Sequence, residues 1–351
     1  MFDGRELARK LFMNAAHYSG LASAVAPSLS GIGTILMLHR VNDEPATELG
    51  LNRHLTITPR FLDTVLTTMK RMGYTFVSMD EAVECVSRGS PQARFATITL
   101  DDGYLDNLTH AVPVFEAHGT PFTIYVAPAL TEGRVGLWWE MVEEIVTRRD
   151  WLVYLTDNGK FSFDCATPEG KREAARHLQD YLTTQVPEQD QQAWLAELMA
   201  PGRSTVARSR CSDIMNWDEI RRIAAHPLGT IGAHTVHHYN LRRLALGDAE
   251  REIAASRDII AIETGTSPRH FAYPYGYEKA VGEREVRMVR EAGFASAVTT
   301  RHGMLQAEHR NHLHALPRLS VNGRYQQIGY VRTMLSGLTV LAESRKRLVT
   351  V

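Results

Sequence analysis

Ala96-Thr97-Ile98-Thr99-Leu100-Asp101-Asp102-Gly103-Tyr104 runs from a short apolar, β-branched stretch directly into two adjacent carboxylates. The apolar part reads as a buried strand, and a carboxylate pair is costly at the end of such a strand unless something neutralises it. Seven further runs have the same character: Thr34–Leu38, Tyr74–Ser78, Phe122–Ala127, Leu228–Ala233, His270–Pro274, Phe294–Thr299 and His314–Ser320. Most are separated by segments of helical period. Pro59–Met72 sets Phe61, Val65, Leu66 and Met69 on one face, and Ser78-Met79-Asp80-Glu81 reads as a capping box. Strand alternating with helix builds a parallel sheet. The expected fold class is therefore α/β, a distorted or incomplete (β/α) barrel.

Polar groups recur at the ends of these runs. His234-Thr235-Val236-His237-His238 follows one of them, and the i, i+4 spacing of His234 and His238 puts both rings on one face if a helix begins there. His237 offers an i, i+3 alternative that spacing leaves open. Two histidines and one carboxylate would leave an open position on a catalytic metal ion. Arg269-His270-Phe271-Ala272-Tyr273-Pro274-Tyr275-Gly276 ends another run in a sharp aromatic turn, and His39 ends the first, in Leu38-His39-Arg40-Val41. In a parallel barrel the strand C-termini share one face, the face that carries active sites. Each motif alone reads equally well as local structure; their common placement favours function.

One stretch breaks the alternation. Residues 133–213 read as helix, hairpin and further helices, with Asn158-Gly159 between the alternating runs Trp151–Thr156 and Lys160–Cys165. They are expected to form a helical and hairpin insertion above one rim. Residues 1–30 form an N-terminal amphipathic segment, 31–324 the barrel, and 325–351 a C-terminal helix. Leu11–Ala26 has some features of an export signal, but Asp3 and Glu6 dilute its basic start and Asn14, His17, Tyr18 and Gly20 break its apolar run. A helix packed on the barrel or resting on a membrane surface is the preferred reading.

The chain has 351 residues, 44% of them apolar and 23% charged, with a formal net charge of −1. A large core is available, and no global field favours nucleic acid. Cys85, Cys165 and Cys211 fit no disulfide framework or zinc-finger spacing, which points mildly to a reducing compartment. No uninterrupted run is long enough to span a bilayer. The expected location is cytoplasmic or peripheral to the inner membrane, with export left open. His302, His309, His312 and His314 read as a solvated loop, and Arg318 as one member of a structural ion pair.

Together these motifs resemble the polysaccharide deacetylases of carbohydrate esterase family four. TLDDGY is similar to the family's T-F-D-D-G, HTVHH to H-S/T-x-x-H, and RHFAYPYG to R-x-F-x-Y-P-Y-G, over about Thr34 to Val321. The position of LHRV upstream of the DD motif resembles the circularly permuted branch that includes poly-N-acetylglucosamine deacetylases. The resemblance implies Asp101 as catalytic base, Asp102, His234 and His238 as metal ligands, and Arg269 as the partner holding Asp101. It also implies the Tyr273 backbone N–H at the oxyanion, His39 as the acid, and the Met215-Asn216-Trp217 segment as a wall of the site. Trp217, Tyr104 and Tyr275 are the expected substrate contacts. The implied cofactor is one divalent metal, Zn²⁺ first, with Co²⁺ or Ni²⁺ as alternatives. The implied reaction is hydrolysis of an N-acetyl group on a GlcNAc-containing glycan or a lipid-linked precursor, by a metal-activated water. An O-acetyl esterase or deformylase on a related sugar, or a catalytically silent glycan-binding barrel, are the competing readings.

Overall fold

The computed structural model describes residues 4–44, 47, 49–89, 93–156, 159–199 and 213–343. Its strands, in chain order, are β1 Gly33–Leu38, β2 Arg40–Val41, β3 Thr56–Ile57, β4 Thr75–Phe76, β5 Phe95–Leu100 and β6 Phe122–Val126, followed by β7 Trp151–Thr156, β8 Gly159–Asp164, β9 Gly229–Ala233, β10 His270–Ala272, β11 Ser296–His302 and β12 Leu316–Ser320. Every residue of β1, β5 and β6 is buried. Such runs are buried on both faces, as in a parallel sheet covered by helices.

The sheet closes. Its order is β1-β12-β11-β10-β9-β6-β5, and β5 returns to β1 along the full register Gly33↔Phe95 to Leu38↔Leu100. All pairings in this seven-strand ring are parallel. All eight runs expected from the sequence are strands, but Tyr74–Ser78 shrinks to β4, which pairs only with the start of β5 (Thr75↔Phe95, Phe76↔Ala96). Since β1 occupies one edge of β5 throughout, β4 and β6 share the other, and β6 takes over from Ile98 onward. This is the sense in which the barrel is distorted.

The surrounding helices follow their local signals. Pro59–Arg71 is capped by Thr58 and buries Phe61, Leu62, Val65, Leu66 and Met69, and Met79–Arg88 opens with the Ser78/Glu81 capping box. The insertion contains the helix Trp138–Thr147, the β7–β8 hairpin and the helices Pro168–Thr184 and Gln191–Met199. It has its own apolar cluster around Val142, Ile145, Leu152, Tyr154, Leu178 and Leu195. The hairpin forms as expected, with Thr156↔Gly159 as its last pair, while Asn158 lies outside the described residues. So do Cys211 and Ser212. The C-terminal segment is two helices rather than one, Ile328–Leu335 and Leu338–Glu343. They part at Gly337, whose φ is +78° and whose absent Cβ would strike the Leu29 carbonyl oxygen. No helix among the described residues is long and apolar enough to cross a membrane.

Candidate metal centre and active site

Asp101 and Asp102 leave β5 at the C-terminal rim of the barrel. The Asp101 N–H still donates to the Leu38 carbonyl, 3.0 Å away, so this residue is held in the ring. Asp102 and Gly103 then both adopt φ of +73°. A strand would point neighbouring side chains to opposite sides; the left-handed turn instead lets both carboxylates be buried at the barrel mouth, each 2% exposed. Met215 N–H donates to the Gly103 carbonyl (2.9 Å) and Tyr104 bridges Ile214, so the 213–217 segment clamps this turn.

His234 follows β9, and its N–H donates to the Val126 carbonyl at 3.0 Å. No helix starts here. Residues 234–240 are a loop in which Thr235 and His238 both take φ of +59°. The two rings therefore meet by loop curvature, with centroids 4.9 Å apart, rather than by a helical turn. His237 turns away: its Nδ1 lies 2.6 Å from Glu252 Oε1, and Glu252 Oε2 accepts the backbone N–H groups of Val236 (3.0 Å) and His237 (2.9 Å). Glu252, in the helix Leu246–Thr264, was not visible as a site residue from sequence, where it sits in an ordinary charged helix.

Asp102, His234 and His238 form a group that can hold a metal ion, with one ligand atom from each within 4.8 Å of the others. Asp102 Oδ1 lies 3.6 Å from His234 Nε2 and 3.4 Å from His238 Nε2. Ligand atoms bound at about 2.0–2.1 Å around a tetrahedral ion would be separated by roughly 3.4 Å. Two further observations fit an ion. Asp102 Oδ1 is buried with no hydrogen-bond partner. His234 Nδ1 is 2.7 Å from the Ala272 carbonyl, which fixes that nitrogen as the N–H donor and leaves Nε2 as a lone pair facing the carboxylate. Burial raises the Asp102 carboxyl, yet the neighbouring His234, His238 and His39 carry it well below the ordinary range. Burial pushes the His238 ring down to about 4, so it is neutral and able to ligate near neutral pH.

Asp101 is gripped by a guanidinium, but not by Arg269. Arg318 of β12 makes a bidentate pair with it, Nη1–Oδ1 2.8 Å and Nη2–Oδ2 2.7 Å, and also donates to the Thr299 carbonyl (2.9 Å) and to Thr99 Oγ1 (3.1 Å). Burial raises the Asp101 carboxyl; the Arg318 charge and hydrogen bonds outweigh this and hold it below its ordinary value. Arg269 immediately precedes β10. It is 66% exposed and pairs with Asp80 at 3.2 Å, so the expected Arg269–Asp101 contact is not formed. Arg318 is indeed in an ion pair, but with the residue expected to be the base.

Two other expectations are corrected by geometry. The Tyr273 N–H donates to the Val298 carbonyl (3.2 Å), which continues the β10–β11 ladder, and is spent. Pro274 has no N–H, so the next amide along is that of Tyr275, which sits at φ +64° with no acceptor among the described residues. Tyr104 is fully buried and cannot contact substrate: its hydroxyl accepts the Trp139 indole N–H (3.2 Å) and the Arg40 guanidinium lies 4.7 Å over its ring. Trp217 opens the helix Trp217–Ala224 and donates to Glu132 (3.3 Å). The indole against the His238 ring is that of Trp139, at 5.2 Å, and Trp138 donates to the Tyr275 hydroxyl at 3.0 Å. Both tryptophans come from the insertion, which thus reaches the rim.

His39 follows β1 on the same rim, half-buried, and its ring has no hydrogen bond to a described residue. Its carbonyl accepts from Asn107 (2.7 Å), and its charge bears on Asp101, Asp102 and His238. Next to it, Arg40 is tied to Asp106 (2.8 Å) and Glu140 (3.3 Å). Beside this pair opens a polar groove of about 460 Å³ lined by Arg40, Asn42, Asn52, Arg53, Asp213 and Gln326 among others. The cluster expected to be a solvated loop is partly core: His309 is fully buried, and burial pushes His302, bonded to Thr339 at 2.8 Å, down to about 3.

Residues 193–296 match the family model of polysaccharide deacetylase. No curated protein matches the sequence significantly. Among solved structures, the Streptococcus pyogenes deacetylase PplD, in complex with acetate, superposes with a TM-score of 0.56 at 18% identity, covering 86% of this chain and 97% of that one. IcaB from Ammonifex degensii gives 0.53 at 17%, covering 87% and 97%. A de-N-acetylase from Aggregatibacter actinomycetemcomitans gives 0.53 at 13%, covering 86% and 99%. At these identities the likeness is one of fold. The family-model match and this shared fold bear out the resemblance to polysaccharide deacetylases.

Proposed function

We propose that this chain is a divalent-metal-dependent hydrolase that removes N-acetyl groups from a GlcNAc-containing glycan or its lipid-linked precursor. The observation that carries this reading is a single juxtaposition. The Asp102–His234–His238 group stands beside a separately paired carboxylate, Asp101, at the strand C-termini of a barrel whose residues 193–296 match the polysaccharide deacetylase family model. Asp102, His234 and His238 would hold the ion, with Zn²⁺ the first candidate for a two-histidine, one-carboxylate set and Co²⁺ or Ni²⁺ acceptable to the same donors. Such an ion supplies an acidified water and a Lewis acid for an acyl oxygen.

The chain's own residues do the rest. Asp101, kept ionised by Arg318, accepts the proton of the attacking water at a carboxylate oxygen. The Tyr275 amide, in place of the Tyr273 amide, donates to the developing oxyanion; one such donor contributes on the order of 3–4 kcal/mol. His39 delivers a proton to the departing nitrogen, in the upstream position of the permuted arrangement. The groove beside Arg40, lined by amides and charged groups, offers hydrogen bonds to sugar hydroxyls, while Trp138, Trp139 and Tyr275 supply the aromatic wall. Mass spectrometry of N-acetylated glucosamine oligomers after incubation with the metal-loaded protein tests the reading. Loss of acetyl with a new free amine is the expected product. Loss only from O-acetylated substrates, or a bound glycan that keeps its acetyl groups, would refute it.

A further inference from the structure

The helix Gly4–Tyr18 is amphipathic the wrong way round for a free surface. Its inner side buries Met13 and Ala16 against the helix Ile328–Leu335, where Asn14 donates to the Tyr330 hydroxyl (3.3 Å) and Thr333 to the Met13 carbonyl (3.2 Å). Its charged groups lie along the margins of that contact: Arg9 on Glu343 at 2.7 Å and Lys10 on Glu6 at 2.5 Å, both cations also over the Tyr325 ring. The outward face includes Leu7, Ala8, Leu11, Phe12, Ala15 and Tyr18, with Leu11 60% and Tyr18 83% exposed, and none of the side chains described on it is charged. Leu21 and Ala24, in the next helix Leu21–Leu29, are exposed as well. Within the first helix, spacings of three and four keep the outward side chains in one line. Water is a poor occupant for so long an uncharged strip.

We propose that this strip is a docking face for an anionic lipid surface, seated in the headgroup zone with its apolar side down. The charges around it select that occupant. Glu6 also faces Arg53 (3.8 Å) and Arg324 (3.7 Å), so four cations, Arg9, Lys10, Arg53 and Arg324, surround two carboxylates, Glu6 and Glu343. An apolar helix face with a cationic margin is the pattern of an interfacial helix. Two copies pressed together through the same strip would set the cation excess of one against that of the other. Arg53 also lines the polar groove beside Arg40. The docking itself rests on no part of the catalytic reading.

Flotation of the full chain with extruded vesicles tests the proposal. The wild type is expected to float with phosphatidylcholine–phosphatidylglycerol vesicles and roughly 25-fold less with phosphatidylcholine alone or at high salt, since each of the two net cations contributes about five-fold at an anionic surface. The double variant Leu7→Glu/Leu11→Glu should stay with the unbound protein while melting at the wild-type temperature. Should that pair disturb the helix, Leu11→Ser/Tyr18→Ser changes only outward side chains and should reduce flotation at least ten-fold. A wild type that stays unbound on both vesicle types, or well-folded variants that float as it does, would overturn the proposal. So would a dimer in sedimentation velocity that either pair of substitutions dissociates.

Discussion

Arg318 and Asp101 are both almost fully buried and paired with two hydrogen bonds, so each removes the other's cost of burial. Deleting one partner leaves an uncompensated charge, at a cost of about 3–5 kcal/mol. Because the Asp101 carboxyl is held below its ordinary value, the pair contributes stability above the unfolded carboxyl pKa of about 3.9, and that contribution is lost as pH falls through the folded value. Arg318→Gln should therefore lower the melting temperature at neutral pH and move the acidic limb of the kcat/KM profile to higher pH, because the largest influence that offsets the burial of Asp101 is lost. Arg269→Ala, at an exposed pair with Asp80, should stay within about two-fold of wild type. An unmoved acidic limb in Arg318→Gln would separate Asp101 from the proton transfer. His39 is tested by leaving group. An amide nitrogen must be protonated to depart, whereas an activated phenolate need not be. His39→Ala should slow an acetamide by about 10²- to 10⁴-fold and an aryl acetate only slightly; equal slowing of both would make His39 structural.

The loop 234–238 owes its shape to the helix behind it. Glu252 spends both carboxylate oxygens on that loop, accepting two backbone N–H groups and engaging His237 Nδ1. Residues that orient ligands from behind usually change metal affinity by about 10–100-fold when removed. Glu252→Ala should weaken metal binding by that factor in a competition titration while the barrel melts cooperatively; unchanged affinity would show that the loop holds its ligands unaided. The strands were legible because buried parallel strands need continuous apolar runs, and the motifs because they follow those runs. The backbone of the rim was not. The non-glycine residues with positive φ among those described are Asp102, Thr235, His238 and Tyr275, all in the three motif loops. Local preference would not place Thr235 or His238 there, which is why the histidine spacing read as a helix. Strain of this kind is maintained only where the surroundings enforce it.

Across the whole chain, what sequence could not disclose was pairing at a distance. Arg318 lies 217 residues from Asp101, and nothing local to Leu316-Pro317-Arg318 marks it as a partner of the DD motif; only closure of the ring between β12, β1 and β5 brings them together. The family model, likewise, spans residues 193–296, which include the histidine and tyrosine motifs but not the two aspartates. The whole site exists only in the closed barrel. In the proposed reaction the trio holds an ion and Asp101 moves the proton. The direct test measures metal content and acetate release in the same preparations of wild type, Asp101→Asn and His234→Ala. The account predicts that chelation abolishes wild-type release and added Zn²⁺ restores it. It further predicts that Asp101→Asn keeps its metal while losing about 10²- to 10⁴-fold in rate, and that His234→Ala loses the metal with the fold intact. Release that survives chelation, or Asp101→Asn turning over at the wild-type rate, would contradict it.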